Sequence, residues 1–98
     1  GVLTVLVDRG AVDLDAPVSD YLPRFTGGGR ERVTVRMLLD HTSGLRAYVP
    51  LHRLASTREA AIELVYAEPL TRLPGTRAVY SDLNAILLGW LVEAVLPR

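Results

Sequence analysis

The feature that most constrains this chain is an apolar segment near its C-terminal end. Its apolar residues recur at the i, i+3, i+4, i+7 spacing of an α-helix through three turns, and they are Leu83, Ile86, Leu87, Trp90, Leu91, Ala94 and Val95. Leu88 and Val92 lie outside this stripe, so the helix is apolar almost all round and should be buried on most of its sides. Gly89 in the helix interior costs about 1 kcal/mol relative to alanine, and we expect a close helix contact there to offset that cost.

Three other segments carry the start or stop signals of helices. An apolar helix over residues 2–8 would end near Gly10, a residue suited to a left-handed cap. Thr34 can cap a second helix, and Ser56 with Glu59 forms a capping box for a third. The apolar residues that share one side are Leu3, Leu6 and Val7 in the first helix and Val35, Leu38 and Leu39 in the second, and the predicted buried stripe of the third is Ala60, Ala61, Leu64 and Val65. Strand-like alternation of useful length is missing, so we predict a mostly α chain.

The composition excludes several classes of function. Eleven basic residues, all of them arginine, balance eleven acidic ones without forming a basic cluster, so nucleic acid is not an expected partner. The chain has no cysteine, which excludes disulfides and thiolate zinc sites. His41 and His52 have no acidic partner at ligand spacing, so we predict no metal site. The apolar start is too short to span a membrane.

A phenol, a hydroxyl and a carboxylate stand side by side at the start of the apolar helix, at Tyr80, Ser81 and Asp82. Ser81 is suited to accept hydrogen bonds from helix amides as an N-cap. On the residues alone, Tyr80 is interpreted as a half-buried aromatic packed before a helix, with a catalytic position as the alternative. Ser43 lacks the Gly-x-Ser-x-Gly pattern of a nucleophile elbow. A cap or turn role is therefore favoured for Ser43 over catalysis.

Several motifs follow one another in a fixed order. They are LVDRGAVDLDAPVSDYLPRF at 6–25, LLDHTSGL at 38–45, Pro74-Gly75 and Tyr80-Ser81-Asp82. Their order and spacing resemble the serine β-lactamase and penicillin-binding-protein-like hydrolases, specifically the class C β-lactamase and family VIII esterase branch. The resemblance implies that this chain is the helical subdomain of an α+β β-lactamase/transpeptidase-like fold. Residues 1–98 would be a partial domain between a Ser-x-x-Lys motif upstream and a Lys-Thr-Gly-type motif downstream, both absent from these residues.

The resemblance also implies roles for individual residues. Tyr80 matches the tyrosine that acts as general base or proton relay, and Asp82 falls at the usual asparagine position. Because an ionised carboxylate only accepts hydrogen bonds, this departure makes β-lactam turnover less expected than ester hydrolysis. The other implied positions are Leu45, Arg46 and Tyr48 at the rim of a substrate cleft, His41, Thr42, Ser43 and Gly44 in a structural turn, and Ser81 as a helix cap.

The implied activity is cleavage of an ester, amide or β-lactam bond through an acyl-enzyme intermediate. The substrate would be a small-molecule ester, peptide or β-lactam, and no cofactor is implied. The nucleophilic serine and its lysine partner are expected outside these residues, which contain no lysine, so the chain alone should be inactive. The resembling enzymes lean towards an extracytoplasmic location in a bacterium, periplasmic or secreted. The alternative hypothesis is a non-catalytic helical binding module derived from the same fold.

Overall fold

A computed structural model describes residues 1–97, and their regular elements are all helical. The five α-helices are α1 (Val2–Asp8), α2 (Val35–Leu39), α3 (Leu51–Leu54), α4 (Arg58–Ala67) and α5 (Asp82–Val95). Two 3-10 turns, Val18–Asp20 and Arg30–Arg32, lie between α1 and α2. Within these residues the β-type pairing is one isolated bridge, between Pro17 and Thr34. The prediction of a mostly helical chain is confirmed.

The first helix ends as the sequence predicts. Gly10 adopts a φ of +76°, in the left-handed region where glycine carries no side-chain penalty. Leu6 is buried in the core, and Leu3 and Val7 pack partly buried against it. The predicted apolar side of α1 is therefore the side that faces the core.

The second helix is short and is held at its start by the loop that follows α1. The Thr34 hydroxyl accepts a hydrogen bond from the Met37 amide at 3.3 Å, which confirms the prediction that Thr34 is the N-cap. The Arg36 amide, which has no partner within the helix, donates to the Leu14 carbonyl at 2.8 Å. Of the three residues predicted to face one way, Val35 and Leu38 are buried, whereas Leu39 is 44% exposed.

The fourth helix begins one residue later than predicted. Thr57 is the N-cap, and its hydroxyl accepts from the Ala60 amide at 3.1 Å. Ser56 lies outside the helix, which moves Glu59 to the second helical position and rules out the predicted capping box. Of the four predicted buried positions in α4, Val65 is fully buried and the other three are half-buried.

The longest helix, α5, packs against α2, and the residues of its predicted stripe belong to or pack on the core except Ala94, which is exposed. Leu83, Leu87 and Leu91 are each at most 2% exposed and form the centre of the core with side chains from the rest of the chain. Residues 1–97 do not supply the predicted close contact at Gly89, since within them a Cβ built there would meet no atom within 4 Å. Neither α5 nor another helix within residues 1–97 is long and apolar enough to cross a membrane.

Candidate active-site corner

Two loops meet at the N-terminal end of α5: the turn 41–45, which follows α2, and the segment 71–80, which leads into α5. Three backbone hydrogen bonds join them, each donated by an amide of the segment to a carbonyl of the turn: Thr71 to Gly44 at 2.8 Å, Gly75 to Thr42 at 2.7 Å, and Val79 to His41 at 2.9 Å. The segment is thus fixed to the turn along its length. We call residues 41–45 and 79–84 the corner.

Gly44 allows the two loops to approach this closely. Its φ is +94°, and a Cβ built on it would lie 2.3 Å from the Arg72 carbonyl oxygen. Real Cβ atoms do not approach a carbonyl oxygen to that distance, and the left-handed backbone is unfavourable for residues with a side chain. Only glycine therefore fits this place in the turn.

His41 connects the turn to the start of α5 through one ring nitrogen. Nδ1 of His41 lies 3.3 Å from the backbone nitrogen of Ser81 and 2.9 Å from Nδ2 of Asn84. A backbone N–H can only donate, so Nδ1 must be the acceptor in this pair. The neutral ring consequently carries its proton on Nε2, and the Asn84 amide presents its NH₂ group to His41.

Asn84 continues the network into the core. Its Oδ1 accepts a hydrogen bond from the Ser43 hydroxyl at 2.7 Å, and the Ser43 oxygen accepts from the Leu45 amide at 3.2 Å. Ser43 and Asn84 are at most 1% exposed. A buried polar side chain is costly unless it is hydrogen-bonded, and here each of these two has its partners.

Asn84 is not among the residues that the sequence predicted for the site. A signal was present, since Asn84 precedes Leu87 by three residues and Leu91 by seven, which puts it on the buried face of α5. A polar residue on the apolar face of a helix calls for a partner on the facing element. The identity of that partner, the HTSG turn some forty residues earlier in the chain, is set by the tertiary fold.

The three polar residues that precede and begin α5 differ in exposure. Ser81 is fully buried and is the predicted N-cap, with its hydroxyl accepting from the Leu83 amide at 3.2 Å. Asp82 is exposed in the first helical turn. Tyr80 is 66% exposed, yet its ring packs on the ring of His41 with centroids 4.6 Å apart and planes tilted by 37°. The corner therefore holds the backbone around Tyr80 while leaving most of the phenol accessible.

The three residues that the resemblance implied at a cleft rim lie in different environments. Tyr48 is 55% exposed, whereas Leu45 is 1% exposed and belongs to the hydrophobic core. The Arg46 guanidinium forms an ion pair with Glu68, whose side chain is 9% exposed. Tyr48 and Arg46 are thus exposed and Leu45 is not, and the roles of all three in substrate binding stay predictions.

The chemistry that these residues allow is narrow. The Ser43 hydroxyl is buried and donates to an amide oxygen, so it has neither access to a substrate nor a base to activate it. His52, the second histidine, is exposed. Among residues 1–97, no group of three or more His, Cys, Asp or Glu side chains could hold a metal ion. The exposed polar side chains of the corner are the Tyr80 phenol and the Asp82 carboxylate, while His41 and Thr42 are half-buried.

The sequence matches a known family over its whole length. The family model described as Beta-lactamase matches residues 1–98. The esterase/beta-lactamase LipL of Mycobacterium tuberculosis is 33% identical over 95 residues, a match that covers 96% of this chain and 21% of LipL.

Solved structures with these helices agree with that match. A class C beta-lactamase superposes with a TM-score of 0.79 at 26% identity, covering 95% of this chain and 26% of that one. A family VIII carboxylesterase superposes with a TM-score of 0.77 at 31% identity, covering 96% of this chain and 26% of that one. The chain therefore spans about a quarter of the length of these relatives.

Proposed function

The chain belongs to the Beta-lactamase family, and we propose that the whole protein is a serine hydrolase that cleaves an ester, amide or β-lactam bond through an acyl-enzyme intermediate. The relatives named above, an esterase/β-lactamase, a class C β-lactamase and a carboxylesterase, support hydrolysis of such bonds. Forming and hydrolysing an acyl-enzyme each require a proton to be taken from the attacking oxygen and delivered to the leaving group. A proton-handling side chain beside the nucleophile is therefore part of the proposal.

The proposal rests on the packing and the exposure of Tyr80. Its ring is supported by His41 at 4.6 Å while the side chain is 66% exposed. A general base must be both held in place and accessible to the group whose proton it takes. Of the groups in the corner, Tyr80 combines these two properties, and we assign it the role of general base or proton relay.

The phenol needs help from outside these residues. A tyrosine side chain ordinarily loses its proton near pH 10, and a neighbouring cation is what makes it a base at neutral pH. The chain contains no lysine, and the family resemblance implies that the cation and the nucleophilic serine come from a Ser-x-x-Lys motif elsewhere in the protein. Residues 1–98 by themselves should accordingly be inactive.

Asp82 favours esters over β-lactams as substrates. Asp82 is exposed two residues after Tyr80, at the position where the resembling enzymes use asparagine. A carboxylate cannot donate a hydrogen bond to an amide carbonyl, as an asparagine NH₂ can. An ester substrate without a side-chain amide loses nothing by this change.

Tyr80→Phe in the full-length protein tests the proton-handling role. The variant keeps the ring on His41 and removes only the hydroxyl. We expect kcat for a chromogenic ester to fall by about 10²–10⁴-fold, the usual contribution of general acid–base catalysis.

Tyr66→Phe is the matched control. The Tyr66 ring packs against Trp90 with centroids 5.3 Å apart, and burial raises the pKa of Tyr66 above its ordinary value of 10.0, although the Arg24 guanidinium opposes this. Removing its hydroxyl should leave kcat unchanged. If Tyr80→Phe lowered kcat only a few-fold, the general-base assignment would be wrong.

Asp82→Asn tests the substrate preference. The asparagine restores a donor for an amide carbonyl, so the ratio of β-lactam to ester kcat/KM should rise about tenfold, the value of one added hydrogen bond to a substrate. Both rates are measured on the same preparation, which cancels differences in the folded fraction. An unchanged ratio would remove Asp82 from the determinants of substrate choice.

A further inference from the structure

His41 contacts Tyr80 and both of its neighbours in the chain. The His41 carbonyl accepts from the Val79 amide at 2.9 Å, and its Nδ1 accepts from the Ser81 amide at 3.3 Å. Between these two hydrogen bonds, the His41 ring packs on the ring of Tyr80. One residue thus contacts the amide of Val79 before Tyr80, the amide of Ser81 after it and the aromatic ring itself.

His41 is in turn held in an uncommon conformation. Its φ is +62°, the only positive φ of a non-glycine residue within residues 1–97. Histidine tolerates the left-handed region better than most residues but still at a cost. The buried Asn84 side chain lies within hydrogen-bonding distance of its Nδ1, and the Thr42 amide that follows donates back to Met37 at 2.9 Å. The packed core therefore supports this backbone conformation.

We infer that His41 is the positioning residue for Tyr80 in the proposed hydrolase, an inference that rests on the proposed role of Tyr80. The carbonyl and Nδ1 of His41 fix the backbone, and its ring fixes the phenol, so that the hydroxyl stays at one place relative to the nucleophile. The Ser43 hydroxyl holds the Asn84 amide in place, and the Asn84 NH₂ group donates to His41 Nδ1, which keeps Nδ1 an acceptor. Small misplacements of a reacting group cost about 10²-fold in rate.

Two substitutions distinguish the contribution of the His41 aromatic ring from that of its Nδ1 acceptor. His41→Phe keeps an aromatic ring against Tyr80 and removes the acceptor, which leaves the buried Asn84 NH₂ without it. His41→Asn places an amide oxygen near the position of Nδ1, tolerates a positive φ and loses the ring. We expect kcat of the full-length enzyme to fall about tenfold to a hundredfold in His41→Phe, with KM changed less than threefold. His41→Asn should recover part of this loss.

A double-mutant cycle distinguishes positioning from a general structural role. In a Tyr80→Phe background, either His41 substitution should have little further effect on kcat, because the hydroxyl that it positions is already gone. His52→Phe, at an exposed histidine, is the matched control and should leave kcat unchanged. Equal losses of kcat in the two backgrounds would overturn the inference.

Two NMR measurements do not depend on activity, and the first of them uses the unsubstituted protein. The ¹⁵N shifts of the neutral His41 ring should show the proton on Nε2 and none on Nδ1, and the Tyr80 ring protons should shift when His41 is replaced by Asn. A neutral ring protonated on Nδ1 would contradict the positioning network even if the variants failed to fold. If Tyr80→Phe were fully active while both NMR results held, the proposed function would fail and the contact between His41 and Tyr80 would stand.

Discussion

The two ends of α5 are held in different ways. At its N-terminal end, Ser81 and Asn84 are fully buried and hydrogen-bonded to groups of the corner. Towards its C-terminal end, Leu91 is the buried contact, while Gly89 and Ala94 are exposed. Hydrogen bonds add to the apolar burial of Leu83 at the N-terminal end, whereas apolar packing holds the C-terminal end.

This difference explains why one end of α5 is positioned more tightly than the other. Apolar packing is non-directional, so it tolerates small shifts along or around a helix. A buried hydrogen bond has a preferred distance and angle, and its loss leaves an unsatisfied group. The end of α5 that bears Tyr80 is thus the end whose position is specified most tightly, and substitutions at the two ends should differ in both size and sign.

The largest effect is expected for Gly44→Ala, which breaks the contact between the two loops of the corner. The new Cβ would lie 2.3 Å from the Arg72 carbonyl oxygen at a φ of +94°. We expect a loss of about 4 kcal/mol in the free energy of unfolding, at the severe end for a single substitution. Chemical denaturation of the full-length protein measures it.

Gly10→Ala is the control for this substitution. Gly10 has a similar φ of +76° but no atom within 4 Å of a built Cβ. The free energy of unfolding should fall only by the cost of placing alanine in the left-handed region, about 1–2 kcal/mol. Equal losses at the two glycines would show that the close approach at Gly44 contributes nothing.

The next largest effect is expected for Asn84→Leu, which makes the N-terminal end of α5 as apolar as the rest. The Ser43 hydroxyl would lose its acceptor and the His41 ring one of its donors. Leaving buried polar groups unpaired costs about 1–3 kcal/mol, which urea denaturation would detect. Adding Ser43→Ala should cost less in this background than alone, because the unpaired hydroxyl is then removed. Additive losses would contradict the Ser43–Asn84 hydrogen bond.

Towards the C-terminal end of α5, Gly89→Ala should stabilise the protein. Gly89 is exposed inside α5 with nothing near a built Cβ, so alanine gains about 1 kcal/mol of helix propensity without a clash. The melting temperature should rise accordingly. Ala85→Gly, at an exposed position of the same helix, is the mirror control and should lower it by a similar amount. A loss of stability in Gly89→Ala would show that another part of the protein covers this face.

The smallest effect is expected for Asp15→Asn, which contrasts an exposed polar pair with the buried network. Asp15 accepts from Arg36 at 2.9 and 3.2 Å, and this hydrogen bonding, followed by the charge of Arg36, holds the pKa of Asp15 below its ordinary value of 3.8. The lowered pKa means that the pair stabilises the fold above about pH 4 and that this contribution disappears as the pH falls through the pKa of the folded state. The melting temperatures of the two forms should therefore differ slightly at pH 7, converge as the pH falls below 3.8 and through the pKa of the folded state, and differ less in high salt. A difference at pH 7 that high salt leaves unchanged would rule out the ion pair as its cause.

Local signals in the sequence predicted much of the fold. The period of the apolar residues located α5 and its buried stripe, and single cap-forming residues located the starts of α2 and α5 at Thr34 and Ser81. The start of α4 was missed by one residue because Ser56 and Thr57 are both good caps, and the choice of Thr57 depends on how the chain enters the helix.

The candidate site was predictable in its residue types and not in its connections. The motif order indicated that His41–Gly44 and Tyr80–Asp82 belong to one site, and the structure places them on two hydrogen-bonded loops. The partnership of Asn84 with His41 and Ser43 joins residues about forty positions apart, and nothing local in the sequence specifies such a pairing.

What the sequence determined by itself is therefore whatever depends on neighbouring residues: the helical period, the caps, the left-handed turn at Gly10 and the lack of lysine. What only the tertiary structure decided is which side chains meet: the tautomer of His41, the burial of Leu45, and the open surface at Gly89. The physical reason is that propensities and caps act within a turn of the chain. Buried hydrogen bonds and close contacts depend on the arrangement of segments distant in sequence, which the packing of the whole core fixes.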